Sequence, residues 1–394
     1  MNQRQLFLRS VAQTSTEPLS IEVRKAKGCY ILDKKGKRYL DLISGIAVSS
    51  IGHGNKQVAN AIAKQARTYM HTMVYGEHIQ APQVNLAEKL KTLLPNELDS
   101  VYFVNSGSEA IEGAMKLAKR ITGRHGFVAQ SLSYHGSSQG AMSLMDDDFF
   151  AGKYRPMLPA IEFINQNQKE DLSKITKKTA AVVMELVQAE KGVYPCEKDY
   201  VQAVSKRCKD VGALLIFDEI QTGMGRTGTW FAFQQYDVVP DILVLAKSFG
   251  AGLPLGCFVS SIDKMNSLRA DPPLGHISTF GGNPVCCAGA LAGIKWMLKS
   301  DVIKGVIAKG DLFKKLLKHP LIKEVRGVGL MLAIDFQEAK LNHQIIDRCI
   351  ERGLHVDWFL YNECSTRICP PLIIEEKQIK KACKIILEVC QEFS

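Results

Sequence analysis

The sequence predicts an α/β fold: a large domain on a mostly parallel sheet covered by helices on both faces, plus a small α+β domain built from both chain ends. Three observations carry this. Between about residues 80 and 280, short continuous apolar runs alternate with segments of helical periodicity, as repeated strand–helix–strand units do. The flanks break that rhythm, with a period-two stretch before it and further strand-like runs after it. A length of 394 residues, 46% of them hydrophobic, suffices for two domains and a substantial core.

The elements follow in chain order. The start, MNQRQLFLRSVAQTS, offers only Leu6, Phe7 and Leu8 where a signal peptide needs a longer apolar region. An amphipathic first helix accounts for it better than a short organelle presequence. Residues 20–45 read as an antiparallel meander with a turn at Lys35-Gly36-Lys37. VYFVN (101–105), GFVAQ (126–130), AAVVMELV (180–187), ALLIFDEI (213–220) and DILVLAK (241–247) read as buried strands, being continuous and rich in β-branched or aromatic residues. EAIEGAMKLAKR (109–120) and DYVQAVSKRCKD (199–210) have helical spacing. A helical segment near 285–319 follows, then the strand-like EVRGVGLMLAIDF and TRICPPLII, and a closing helix, EEKQIKKACKIILEVCQEF. The expected division is 1–50 and 291–394 for the small domain and 51–290 for the large one.

Composition narrows the functional classes. The formal net charge is +10, but its basic residues are not clustered as a nucleic-acid groove requires. Lys34, Lys35, Lys37 and Arg38 occupy a turn, and Lys314, Lys315 and Lys318 fall on the wet face of a helix. No apolar run approaches the ~18 residues of a membrane span. The eleven cysteines are scattered without a C-x-x-C pair, which argues for reduced packing residues in the cytoplasm and against a metal site.

Three strand tips carry chemistry. Asn105-Ser106-Gly107-Ser108-Glu109 follows a strand and opens a helix with capping-box spacing, and exposed N–H groups at a helix start attract phosphate. Most such boxes merely begin helices. Asp218 ends the apolar run ALLIF, where a carboxylate is costly unless it meets a cation or a protonated ring nitrogen; read alone, it could equally cap a helix. Gln221 follows on the Gly-rich loop QTGMGRTG, whose Arg226 is expected to fix the loop. Lys247 ends another apolar run before Ser248-Phe249-Gly250, and burial there can lower an amine's pKa and let it condense with a carbonyl. A lysine at a strand end is more often simply solvated.

NSGSEA, FDEIQTGMGRTG, the Lys247 run and STFGGNP (278–284) together resemble the pyridoxal-phosphate-dependent class III aminotransferases, most of all the acetylornithine/ornithine branch. The likeness runs from GCYILDKKGKRYLDLISGIAVSSIGHG to RICPPLII. It implies fold type I, pyridoxal 5′-phosphate as cofactor, an amino donor and a 2-oxo acid as substrates, and a homodimer with shared active sites. It also implies roles. Lys247 holds the cofactor and moves the proton, while Asp218 pairs with the ring N–H. Gln221 bonds the phenolic oxygen, and Tyr134 stacks on the ring. Ser106, Gly107 and Ser108 form the phosphate loop, reached by Thr279 of a neighbouring subunit. Arg367 takes the α-carboxylate of glutamate or 2-oxoglutarate, Glu190 masks Arg367 while another donor is bound, and Tyr75 borders the pocket. His53 and His135 are expected in supporting positions.

Two departures stand out. The usual E-P-x-Q-G-E reads Glu185-Leu-Val-Gln-Ala-Glu190, keeping both acids. Ser137 stands where this branch commonly has an arginine that binds a distal carboxylate, and it lacks that charge. The reaction implied is transfer of the terminal amine of ornithine or N-acylornithine to 2-oxoglutarate or a similar acid. The alternatives are an ω-amino-acid or diamine transaminase outside arginine metabolism, or an aminomutase of the same fold.

Overall fold

The structure is a computed structural model describing residues 2–394. Its centre is a seven-stranded sheet in the order Ser100–Val104, Gly256–Ser260, Ile242–Leu245, Leu214–Asp218, Thr179–Met184, Gly126–Gln130, Ile161–Ile164. Gly256–Ser260 is antiparallel to both neighbours, and the other pairings are parallel. Thr179–Met184, Leu214–Asp218 and Ile242–Leu245 are buried along their whole length, as continuous apolar strands covered on both faces must be.

The helix Gly107–Thr122 buries Ala110, Ile111, Ala114, Met115, Leu117 and Ala118, residues at helical spacing. It approaches the sheet so closely that a Cβ at Gly113 would lie 2.3 Å from Phe258 Cε1. It ends at Gly123, whose φ of 65° is left-handed. The second expected helix spans Lys198–Val211.

The structure corrects several strand limits. Ile161–Ile164 and Gly256–Ser260 belong to the sheet in addition to the strands the sequence predicts. The run expected to end at Lys247 stops at Leu245, and Lys247 begins a 3-10 turn, Lys247–Gly250. The run 180–187 divides into Thr179–Met184 and a separate short strand, Val187–Gln188.

The chain ends interlock. The meander is present as Val23–Lys27, Tyr30–Asp33 and Arg38–Asp41, and a C-terminal strand, Leu354–His355, adds parallel to Arg38–Asp41. Buried Asp41 secures the junction. It accepts the N–H groups of Ile43 (3.0 Å) and Ser44 (2.8 Å), and faces His53 Nε2 at 2.8 Å and His355 Nδ1 at 3.2 Å. Burial alone would raise its pKa, but the two imidazoles and the Ser44 N–H hold it well below the usual carboxylate range. A second four-stranded sheet contains Glu324–Val328, Met331–Asp335, Asn362–Ile368 and Trp358–Phe359, and the chain closes with the helix Glu376–Gln391. The first helix, Gln3–Ser10, buries no residue. Among the described residues no helix is long and apolar enough to cross a membrane.

Candidate active site

The strand tips and the helix start meet at a cavity of about 340 Å³ bordered by Ser106, Gly107, Ser108, Tyr134, Asp218, Gln221 and Lys247. Ser106 caps the helix, its Oγ accepting the Glu109 N–H at 3.2 Å. The expected capping box is only half formed: Glu109 accepts from the Asn105 N–H (2.9 Å) and Nδ2 (2.8 Å) rather than from the Ser106 N–H. The N–H groups at the start of this 16-residue helix are thereby available to an anion.

Lys247 reaches the cavity from a strained backbone, with φ of 48° in the region that side chains other than glycine seldom adopt. Its amine makes no hydrogen bond or ion pair among the described residues. Burial pushes its pKa down, and the Glu190 carboxylate opposes part of that shift.

Asp218 is held on both oxygens. Oδ1 accepts the Ile220 N–H at 3.0 Å, and Oδ2 lies 2.7 Å from His135 Nδ1. Burial would discharge His135, but Asp218, and more weakly Glu185, raise its pKa above the ordinary value. His135 Nε2 is buried without a partner. Glu185, also buried, accepts the Tyr134 N–H (3.0 Å) and the Ala189 N–H (3.1 Å). Burial, reinforced by Asp218, pushes its pKa up to about 7 despite His135.

The Tyr134 hydroxyl lies 2.9 Å from Ser137 Oγ, and Ser137 is exposed. Gly136, with φ of 132°, lies so near the helix start that a Cβ there would meet Ser108 Oγ at 2.1 Å.

Glu190 and Arg367 form a buried two-pronged pair. Nη1 donates to Oε1 at 2.9 Å and Nη2 to Oε2 at 2.8 Å, with both side chains at most 4% exposed. The contact is therefore a buried ion pair rather than a surface one. Gln221 Oε1 accepts from Arg367 Nη1 at 3.4 Å, and the guanidinium lies 4.5 Å from the centre of the Phe359 ring. Burial disfavours the Glu190 charge, but Arg367 outweighs it and holds the pKa at about 2 against an ordinary 4.5. This pair should therefore stabilise the fold fully above pH 4.5 and lose that effect as the pH falls toward 2. Glu190→Gln should cost about 3 kcal/mol at neutral pH and flatten the acid limb of the stability curve, measured by urea unfolding from pH 7 to 3.

Two expected residues lie apart. Tyr75 borders a second cavity, of about 300 Å³, with Ser278 and Gly281. Thr279 is exposed and borders neither. Arg226 fulfils its expected role, its guanidinium donating to the carbonyls of Leu330 (3.0 Å) and Pro370 (2.5 Å) and to Ser50 Oγ (2.8 Å). Sequence reasoning missed the contacts of Glu185 with the Tyr134 loop and of Asp357 with Arg367. No local signal marks either.

Residues 11–390 match the family model described as aminotransferase class-III. The chain is 38% identical over 378 residues to the acetylornithine aminotransferase of Archaeoglobus fulgidus, covering 96% of this chain and 97% of that one. It is 34% identical to the putrescine aminotransferase of Pectobacterium atrosepticum, covering 95% and 83%. The solved ornithine aminotransferase of Toxoplasma gondii superposes with a TM-score of 0.91 at 26% identity, covering 99% of this chain and 94% of that one. With near-complete coverage in sequence and fold alike, the chain belongs to the class-III aminotransferases and is a transaminase.

Proposed function

We propose that this aminotransferase uses pyridoxal 5′-phosphate to move the terminal amine of ornithine or N-acylornithine to a 2-oxo acid such as 2-oxoglutarate. The observation that carries this reading is the meeting, at one cavity, of the Lys247 amine, the Asp218 carboxylate and the helix-start N–H groups at Gly107 and Ser108. That donor set fits the cofactor. The helix start suits a phosphate, a carboxylate backed by His135 suits a protonated ring nitrogen, and an amine without a hydrogen bond suits an aldehyde. Bound there, the cofactor supplies a carbonyl that condenses with amines and a ring that accepts electron density.

The protein's own groups do the rest. Asp218 keeps the proton on the ring nitrogen, and its contacts with Ile220 and His135 prevent it from turning away. Lys247 Nζ, its basicity tuned by burial, takes the proton from the substrate carbon and returns it one atom further along. Gln221 and Tyr134 orient the ring. Arg367 receives the α-carboxylate of the oxo acid, and Glu190 occupies Arg367 when the other donor is bound. We place the enzyme in the cytoplasm as a homodimer in which Thr279 serves the neighbouring site. Ile277 and Phe280, about half exposed on either side of Thr279, support that assembly. The chain divides near residues 50 and 290, the small domain taking both ends and the large domain the stretch between them.

A substrate panel tests it. With 2-oxoglutarate present, ornithine or N-acetylornithine should give glutamate faster than lysine, putrescine, 4-aminobutyrate or a β-amino acid. Preference for one of those others, or turnover without an added oxo acid, would overturn the assignment.

A further inference from the structure

Arg367 has a second acidic neighbour. Asp357 Oδ1 lies 3.1 Å from Arg367 Nε, the one guanidinium nitrogen that Glu190 does not engage, without the alignment of a hydrogen bond. The contact is built into the hairpin. Asp357 immediately precedes the strand Trp358–Phe359, which pairs antiparallel with Asn362–Ile368, and the Arg367 N–H donates to the Asp357 carbonyl at 2.8 Å. The two residues are thus held together by their backbones whatever Glu190 does.

The charge count gives this contact a purpose. With Glu190 in place, one buried cation faces two carboxylates. If Glu190 turns aside, Arg367 is left with one carboxylate and the pair is neutral. Without Asp357, the same movement would strand an unpaired guanidinium in a buried site, which is strongly unfavourable. We propose that Asp357 is a positioning residue that holds Arg367 in register and balances its charge while Glu190 gives way to the substrate's α-carboxylate. This rests on the reading that Arg367 binds that carboxylate.

The test measures binding as well as turnover. Titration calorimetry with glutarate, an unreactive dicarboxylate, on the cofactor-loaded enzyme should show affinity weakened by about 10-fold in Asp357→Asn. The KM for 2-oxoglutarate should rise by a similar factor, while kcat and the KM for the amino donor stay within about 2-fold. Asp357→Glu, which keeps the charge, should recover most of the loss and covers the case in which the asparagine variant folds poorly. Unchanged glutarate affinity in a folded Asp357→Asn overturns the proposal. Arg367→Lys keeps the charge but loses the two-pronged donor. If it too binds glutarate like the wild type, the reading of Arg367 fails, and this inference fails with it.

Discussion

Lys247→Ala should lower kcat by at least about 10³-fold, because the variant loses both the amine that condenses with the cofactor and the base that moves the substrate proton. The fold should not suffer. Lys247 contributes no hydrogen bond, its charge is opposed by burial, and its backbone sits at a φ of 48°. Thermal unfolding is therefore expected at or slightly above the wild-type temperature, the pattern of a residue kept for chemistry at the expense of stability. Borohydride treatment of the loaded enzyme should fix the cofactor to the Lys247 peptide as a secondary amine in the wild type, a gain of the cofactor's mass less the one oxygen atom lost as water, and to no peptide in the variant. A variant that turns over at a tenth of the wild-type rate would remove Lys247 from the mechanism.

Asp218→Asn should lower kcat by about 10²-fold or more, with a smaller effect on substrate KM. The substitution preserves shape and leaves an oxygen for the Ile220 N–H, but it removes the charge that keeps a proton on the ring nitrogen. His135 reports the same change. Burial lowers its pKa and Asp218 raises it, so in the variant its charged form should be lost at lower pH, which NMR of labelled histidine can follow. A near-normal kcat, or a His135 titration that does not move, would show that Asp218 does not set the charge of the site.

Much of the sheet was legible because its central strands are continuous apolar runs. The misses have physical reasons. Ile161–Ile164 is an edge strand interrupted by exposed Glu162, with only Ile164 fully buried, so it lacks the continuous signature. Gly256–Ser260 follows Gly252 and Pro254 after a tight turn, and its antiparallel direction is set by pairing with Ser100–Val104, which composition does not encode. At the site, Asp218 and Lys247 were conspicuous because charged groups at the tips of apolar strands demand explanation. Asp357 had no such setting. It meets Arg367 through the register of one hairpin, and a shift of one residue would point it elsewhere. The Glu190–Arg367 pair came from resemblance alone, since 177 residues separate the partners.

The parallel pairing of Leu354–His355 with Arg38–Asp41 also has a consequence for synthesis. Asp41 and His355 are 314 residues apart, so at roughly 5–20 residues per second the first strand waits about 15–60 s on the ribosome for its partner. The N-terminal meander is made early and completed almost last. Until then its open edge is exposed, and nascent chains stalled before residue 350 should be the species that chaperones hold and proteases remove.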